Sequence, residues 1–367
     1  MGRPSTVDVD LAAITANTAA LFDVAAGSML CAVVKADGYG HGAVPAAQAA
    51  LAGGARWLAV ALVEEGLELR AAGVRSPVLV LSEAPDDMVA AAVASDLTLT
   101  VYSESSIAAA AAAGAAPVHL KVDTGMHRVG VDPADAVRLA RQLTDAGLVL
   151  GGTYTHLARA DEPSDTTTAA QLARFEAVLD GLADAGIDAG IRHAANSAGL
   201  LLHPSARYDM VRAGIAIYGV PPVSGNDELE WSTDLEPSLS LTSEITMVRE
   251  LAAGEGVSYG HRWVAPADTV VAVVPIGYAD GVRRDYGLRG GQVLVGGVRR
   301  PVRGVVTMDQ LVIEVADDPP VQRGDEVVLI GWQGEEHIPV SEWADRLDTI
   351  GYEIVCALSA RLPRTQA

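Results

Sequence analysis

The sequence is poor in lysine. Only two lysines, Lys35 and Lys121, occur among the 26 basic residues of the 367-residue chain, so arginine supplies the positive charge almost everywhere. An arginine guanidinium cannot form an imine with an aldehyde, whereas an unprotonated lysine amine can. The two lysines are therefore the first candidates for chemistry.

Cysteine is as scarce as lysine. Cys31 and Cys356 are far apart and form no CxxC or zinc-ligand spacing, and the eight histidines are scattered as well. This pattern predicts neither a disulfide framework nor a bound metal. The sequence also has no Gly-Lys dipeptide, which excludes a Walker A loop.

Basic residues are outnumbered by 47 acidic ones, which gives a formal charge of −21 at pH 7. Such a charge repels phosphate backbones and anionic membranes, so nucleic acid and membranes are not expected partners. The first ten residues lack the apolar stretch of a signal peptide, and no apolar run is long enough to span a bilayer. We expect a soluble, cytoplasmic protein.

Short apolar runs alternate with alanine-rich amphipathic stretches over residues 1–235, which is typical of strands followed by helices. The candidate strands are 30–34, 57–62, 78–81, 97–101, 118–122, 151–156, 191–194 and 209–212. The helical stretches between them include 63–72, 107–113, 134–146 and 169–185. Eight such units favour a (β/α)8 TIM barrel over an open doubly wound sheet, which commonly has fewer strands.

The pattern changes after Pro221-Pro222. Valine-rich runs separated by glycine and aspartate turns predict strands at 245–251, 270–274, 292–295, 311–315 and 326–330, with one helix at 341–347. We therefore expect a mainly β C-terminal domain over residues 236–367.

Lys35 ends the apolar run Cys31–Val34 and begins a turn-rich string with three glycines at 38, 40 and 42. A strand that delivers a lysine into a glycine-rich loop predicts a Schiff-base site. Residues 256–260 match the G-x-S-x-G elbow of α/β-hydrolases, but such an elbow must lead into a helix. Here the chain passes through Pro266 into another predicted strand, so we reject a hydrolase.

Seven strings in this sequence resemble, in the same order, those of the bacterial alanine racemases. They are AVVKADGYGHG (32–42), KVDTGMHRVG (121–130), VRAGIAIYG (211–219), VSYG (257–260), PIGYADG (275–281), TMDQ (307–310) and GYEI (351–354). The resemblance implies a barrel followed by a β domain, pyridoxal 5′-phosphate (PLP) as cofactor, and a head-to-tail homodimer with residues of both subunits in each active site. It also implies interconversion of L-alanine and D-alanine, which supplies D-alanine for peptidoglycan.

The resemblance also assigns the groups that transfer protons. Lys35 would hold PLP as an imine and then serve one face of the substrate, and Tyr259 of the partner subunit would serve the other. A free tyrosine has a pKa of about 10, so Tyr259 needs a hydrogen-bonding or cationic neighbour, and His156 matches the family histidine in that role. Arg212 would face the pyridine nitrogen. Because arginine keeps its own proton, it cannot readily protonate that nitrogen, which favours racemisation over decarboxylation.

The remaining matches are contacts to cofactor and substrate that the resemblance implies. Phosphate would be bound by Ser197 beside Asn196, by the amides of Gly214 and Ile215, and by the hydroxyls of Tyr39 and Tyr352. Arg128 would contact the cofactor's phenolic oxygen and the substrate carboxylate, and the amide of Met308 from the partner subunit would contact the same carboxylate. Tyr278 and Asp309 match gate residues, and Lys121 matches a lysine that is carbamylated in many family members.

Three alternative functions predict different features in the sequence. A racemase acting on serine as well as alanine is an alternative, because one extra hydroxyl is hard to exclude by pocket shape. A decarboxylase on the same barrel predicts an acidic partner for the ring nitrogen, which Arg212 contradicts. A non-catalytic PLP-binding barrel lacks a β domain with a tyrosine acid/base, and this chain has both.

Overall fold

The computed structural model describes residues 3–115, 117–223, 233–316 and 319–366. Two compact units make up the chain. Residues 14–236 form what we call the barrel unit, and residues 1–13 together with 237–367 form what we call the β unit.

The N-terminal strand, β1 (Thr6–Val9), differs from the sequence expectation. It falls within the range expected for the barrel, 1–235, but it pairs antiparallel with strand Leu239–Glu244 and parallel with strand Arg364–Gln366. Its alternating burial, with Val7 and Val9 inside, suits a sheet with one covered face. Both pairing partners are more than two hundred residues away, so a local pattern could not reveal this placement.

The barrel unit is built on parallel strands that are buried on both faces, which explains why they appear in the sequence as continuous apolar runs. In the described residues these are β2 (Met29–Val33), β3 (Trp57–Val60), β4 (Val78–Val80), β5 (Leu99–Val101), β6 (Val118–Lys121), β7 (Leu150–Tyr154), β8 (Ile191–His193) and β9 (Met210–Ala213).

Each strand of the barrel unit is linked to the next. Parallel ladders join β2 through β4 and β5 through β8, and a bridge between Leu79 and Thr98 connects β4 with the start of β5. The amide of Arg212 donates to the Ala195 carbonyl at 3.0 Å, which links β9 to the chain after β8. Strand β9 also pairs with β2 and closes the ring. The predicted eight-stranded barrel is confirmed.

Helices cover the outside of the ring. They are α1 (Leu11–Val24), α2 (Ala43–Ala52), α3 (Val63–Ala71), α4 (Asp86–Ala94), α5 (Glu104–Ala112), α6 (Ala136–Asp145), α7 (Thr167–Asp184) and α8 (Ser197–Leu202). In α6 the buried residues Ala136, Leu139, Ala140 and Leu143 recur at the spacing of one helix face. Within the described ranges, we find no helix with the length and apolar character needed to cross a membrane.

The β unit is mainly β, as expected. Its further strands are β10 (Leu239–Glu244), β11 (Met247–Leu251), β12 (Gly256–Val257), β13 (Trp263–Val264), β14 (Thr269–Val274), β15 (Gln292–Val295), β16 (Val298–Pro301), β17 (Leu311–Glu314), β18 (Glu326–Gln333), β19 (Glu336–Ile338) and β20 (Arg364–Gln366). One sheet has the order β16-β15-β18-β10-β1-β20 and another β11-β14-β17. Two helices, α9 (Val340–Leu347) and α10 (Gly351–Cys356), follow β19, although the sequence predicted only the first.

Candidate active site

Lys35 lies two residues beyond the end of β2, at the rim formed by the carboxyl ends of the barrel strands. The next four residues, 36–39, have φ values between +53° and +59° and form a left-handed turn. This conformation costs about 1–2 kcal/mol for each residue other than glycine. Two carboxylates hold the turn: Glu65 Oε1 accepts from the Ala36 amide at 2.7 Å, and Asp37 Oδ1 accepts from the first amide of α2 at 2.9 Å. The backbone that follows Lys35 is therefore strained, and these two hydrogen bonds hold it in place.

Arg212 is a buried cation of the barrel unit. Its Nη1 lies 2.9 Å from His193 Nδ1, and its Nη2 donates to the carbonyls of Thr155 and Ala194 at 2.8 and 3.0 Å. Nη2 also lies 3.2 Å from His156 Nδ1. Because a guanidinium has only donors, both histidine Nδ1 atoms must accept, which leaves their protons on Nε2. Burial, and then the charge of Arg212, hold the pKa of both histidines well below 6.5, so both are neutral.

A third histidine, His119, extends this hydrogen-bond chain. His119 Nδ1 lies 3.0 Å from His193 Nε2 and accepts its proton. Burial and the Arg212 charge lower the pKa of His119 to about 3. The ring of Tyr154 stacks on His193 with centroids 4.5 Å apart and lies 5.1 Å from the Arg212 guanidinium carbon. Sequence reasoning missed all three residues, although two histidines within apolar barrel strands were the available signal.

Lys121 ends β6 and is buried beside this cluster. Burial lowers its pKa to about 8, and repulsion from Arg212, Arg128 and Lys35 acts in the same direction. Its Nζ lies 5.4 Å from the centroid of the Tyr154 ring. The other lysine of the chain is thus close enough to disfavour the protonated form of this one, and the Lys121 amine is partly neutral near neutral pH.

Arg128 is exposed and lies on a loop organised by Asp123, which sequence reasoning also missed. The carboxylate of Asp123 accepts from the amides of residues 125–128 at 2.9 to 3.1 Å. Burial raises the pKa of Asp123, but these amide hydrogen bonds outweigh it and the net shift is downward. His127, next to Arg128, has a φ of +54°. The loop that presents Arg128 is therefore tied to an ionised carboxylate.

Ser197 and Gly214 come together with Tyr39 at the same rim. The Ser197 hydroxyl oxygen accepts from the Gly214 amide at 2.9 Å and lies 3.4 Å from the Ala216 amide. A Cβ atom on Gly214 would lie 2.6 Å from the Tyr39 hydroxyl oxygen. Glycine at 214 thus leaves room for a cradle of two hydroxyls and backbone amides.

Asn196 and Ile215 lie on the elements that carry this cradle. Asn196 caps α8, and its Oδ1 accepts from the Gly199 amide at 2.9 Å. Ile215 begins the short 3-10 turn Ile215–Tyr218 and is fully buried. The amide of Ala216 approaches the Ser197 hydroxyl beside that of Gly214, and the phosphate contact expected of the Ile215 amide stays a prediction.

In the β unit, three of the predicted site residues have exposed side chains: Tyr259 is 71% exposed, Met308 52% and Tyr278 43%. The loops that carry two of them are paired, because the Tyr278 amide donates to the Thr307 carbonyl at 2.9 Å and the Ala279 amide donates to the Met308 carbonyl at 3.1 Å. Large apolar side chains on a surface commonly mark an interaction site.

The other two predicted residues of the β unit are fixed differently. Asp309 is exposed, and its Oδ1 accepts from Arg361 Nη2 at 2.7 Å. Tyr352 is the second residue of α10 and is half-buried. The rejection of a hydrolase elbow is confirmed, because residues 256–260 run from β12 through a 3-10 turn into β13 with no helix following.

Over the ranges that the structure describes, no group of three His, Cys, Asp or Glu side chains is placed to hold a metal ion. Neither cysteine forms a disulfide, and Cys31 is buried whereas Cys356 is exposed. Burial raises the pKa of Cys31 to about 12, so this thiol stays protonated.

Comparison with known proteins identifies the family of the chain. The family model "Alanine racemase, N-terminal domain" matches residues 9–222, and "Alanine racemase, C-terminal domain" matches residues 238–366. The alanine racemase of Symbiobacterium thermophilum is 48% identical over 99% of this chain and 97% of its own length. The solved alanine racemase of E. faecalis is 40% identical with a TM-score of 0.92, covering 100% of this chain and 98% of its own. That of Bacillus anthracis, with bound L-Ala-P, is 37% identical with a TM-score of 0.93, covering 100% and 96%. The chain belongs to the alanine racemase family.

Proposed function

We propose that this racemase interconverts L-alanine and D-alanine with PLP as cofactor and acts as a homodimer in which each active site contains residues of both subunits. Lys35 carries the proposal, because it begins the strained turn at the barrel rim that Glu65 holds in place, and its amine is a group that can form an imine with an aldehyde cofactor. Family membership supports the reaction, and no observation favours the broader serine and alanine specificity.

The described residues of the barrel unit fit PLP by their chemistry. Lys35 offers an amine to the aldehyde, and the cradle of Ser197, Tyr39 and Gly214 offers hydroxyls and an amide to the phosphate. Arg212 offers donors to the pyridine nitrogen. Among the further predicted contacts, Arg128 offers a guanidinium to the phenolic oxygen and the substrate carboxylate. When bound, PLP withdraws electrons from the substrate Cα and makes its proton acidic.

Racemisation by this chain needs a proton acceptor and donor on each face of the substrate Cα. Lys35 Nζ would remove and return the Cα proton of D-alanine, and the Tyr259 hydroxyl of a second copy would do the same for the Cα proton of L-alanine on the opposite face. His156 accepts from Arg212 through Nδ1, so its Nε2–H is available to donate to the tyrosine oxygen. A hydrogen bond donated to the tyrosine oxygen favours the phenolate form. The neutral state of His156 thus suits its proposed role.

Arg212 decides between reaction types. Two histidine nitrogens and two carbonyls already accept from it, so its guanidinium is held in place, and a guanidinium does not readily give a proton to a ring nitrogen. A ring nitrogen facing it would keep its lone pair, and negative charge would stay near the substrate Cα. Proton return to Cα is then favoured over transamination, which suits a racemase. A decarboxylase would instead be expected to place an acidic side chain, not Arg212, at the ring nitrogen.

We further propose that Lys121 is carbamylated. With a pKa of about 8 the amine is partly neutral, and the neutral amine is the form that reacts with carbon dioxide. Carbamylation would replace a cation that Arg128 repels by an anion that attracts it and can orient it. Intact-protein mass spectrometry at mildly alkaline pH should show one added carbon dioxide, which acid removes, and Lys121→Met should lack it.

The exposed side chains of Tyr259, Tyr278 and Met308 support the homodimer, because a second copy would cover them. Tyr278 and Asp309 would then gate access, and the Met308 amide would bind the substrate carboxylate. Tyr352 would add a hydroxyl to the phosphate contacts. The product, D-alanine, and the formal charge of −21 suit a bacterial cytosol where peptidoglycan precursors are made.

The proposal is tested by incubating L-alanine with the purified protein and PLP in deuterated water. Proton NMR follows loss of the Cα proton, and a chiral assay follows D-alanine. We expect deuterium at Cα together with D-alanine. Exchange without D-alanine would remove one of the two proposed bases, and no exchange at either face would contradict the proposed reaction.

A further inference from the structure

The residue before Tyr259 has an uncommon backbone conformation. Ser258 has φ +62° and ψ −173°, a region that is essentially restricted to glycine because a Cβ atom clashes there. A side chain is present nevertheless. Such outliers persist only where the surrounding structure holds them, and they cluster at functional sites.

Two features of the β unit hold Ser258 in this conformation. Its hydroxyl donates to the Val305 carbonyl at 2.7 Å. Opposite it lies Gly304, where a Cβ atom would come within 2.7 Å of the Val257 carbonyl oxygen and 3.3 Å of the Ser258 Cβ. Glycine at 304 therefore leaves the space that the serine occupies.

The other end of the turn, at His261, is also held in place. His261 has a φ of +40°, and its ring lies against Gly256, where a Cβ atom would be 2.3 Å from the ring's Cγ. The turn is thus held at Ser258 and at His261, while the Tyr259 side chain between them is 71% exposed. Because packing within the β unit leaves most of that ring uncovered, the backbone of the turn sets the direction of the Tyr259 Cα–Cβ bond and so the region that its hydroxyl can reach.

We propose that Ser258 is a positioning residue for the tyrosine acid/base: its strained backbone and its hydrogen bond to Val305 aim the Tyr259 hydroxyl. The inference rests on the proposed function. Val305 lies three residues before Met308, in the segment between β16 and β17, so one hydrogen bond ties the proton-transferring group to the loop proposed to bind the substrate carboxylate. Loss of this bond should impair proton transfer at the tyrosine face and leave the lysine face intact.

The test measures deuterium exchange at Cα for each enantiomer separately in holoenzyme carrying Ser258→Ala. Exchange into L-alanine reports on Tyr259, and exchange into D-alanine reports on Lys35. Since a misplacement of one ångström can cost about a hundredfold, we expect the L-alanine rate to fall tenfold or more, on the order of the loss in Tyr259→Phe. The D-alanine rate should stay within about twofold.

Two further variants separate positioning from a general loss of structure. Gly304→Ala leaves Ser258 intact but fills its space, and it should give the same one-sided loss. Thr246→Ala is the matched control, because its hydroxyl also donates to a backbone carbonyl of the β unit, that of Val273 at 3.0 Å. This control should leave the ratio of the two exchange rates unchanged.

A second readout needs no cofactor. In the cofactor-free protein, amide hydrogen exchange of residues 257–262 should accelerate in Ser258→Ala and not in Thr246→Ala. Equal losses at both faces, or no loss at either, in folded Ser258→Ala would overturn the inference. No exchange at either face in the wild-type enzyme would instead overturn the proposed function and the inference with it.

Discussion

The substitution Asp280→Asn should destabilise the β unit strongly. Asp280 is fully buried, and its two carboxylate oxygens accept from Arg3 at 2.8 and 2.6 Å. Oδ2 also accepts from the Gly277 amide at 2.8 Å. An asparagine amide group, in either orientation, would point its NH2 at one of these donors. The substitution thus removes a charge and creates a donor facing a donor.

The size of the effect follows from burial. Breaking a buried ion pair costs about 3–5 kcal/mol. The Arg3 side chain is 27% exposed and can turn toward water, so we expect the lower end, about 3 kcal/mol. The change should appear as a lower free energy of unfolding in urea, followed by circular dichroism.

Asp285→Asn provides the matched control, because the same chemical change occurs at an exposed pair with Arg289, where the side chains are 32% and 43% exposed. Such pairs contribute about 0–1 kcal/mol. A loss in Asp280→Asn no greater than in Asp285→Asn would refute the reasoning, because burial would then not decide the strength of these pairs.

Three further predictions concern the barrel unit. In buffer free of carbon dioxide, Lys121 keeps its proton up to about pH 10.5 in the unfolded chain but only up to about pH 8 in the folded chain. The free energy of unfolding, measured in urea relative to Lys121→Met, should therefore rise by up to about 3 kcal/mol between these pH values. A difference from Lys121→Met that does not change with pH would contradict the lowered pKa. The pKa of His119 is about 3 in the folded chain and 6.5 in the unfolded chain, so the free energy of unfolding should fall as the pH drops below 6.5. Between pH 7 and pH 5, His119→Asn should lose about 2 kcal/mol less of this free energy than the wild-type protein does. Gly214→Ala places a Cβ atom 2.6 Å from the Tyr39 hydroxyl oxygen and should weaken PLP binding, measured by equilibrium dialysis, by about tenfold or more, whereas Gly181→Ala in α7 should not.

The barrel was predictable because its strands are buried on both faces, so a run such as Leu30–Val34 stands out from the polar helix faces around it. What the sequence hid depends on contacts between distant residues. Strand β1 belongs to the β unit through ladders to β10 and β20. The six-residue helix α10 is too short to show a helical period.

The candidate site shows the same division. Lys35 and Arg212 could be proposed from local strings, because the chemistry of each side chain is recognisable by itself. The hydrogen-bond chain from Arg212 through His193 to His119 joins three strands, and no local pattern reports its distances. The strained backbone of Ser258 could not be predicted either, because a serine in the sequence does not indicate a φ of +62° in the way that a glycine would.

The central claim is that each active site takes Lys35 from one chain and Tyr259 from another. The direct measurement is to mix inactive Lys35→Ala and Tyr259→Phe proteins in equal amounts, allow subunits to exchange, and assay D-alanine formation. Half of the dimers would be mixed, and one of their two sites would contain both wild-type residues, so activity should return to about a quarter of the wild-type value. If Lys35 and Tyr259 of one site came from the same chain, every site would carry a substitution and the mixture would remain inactive.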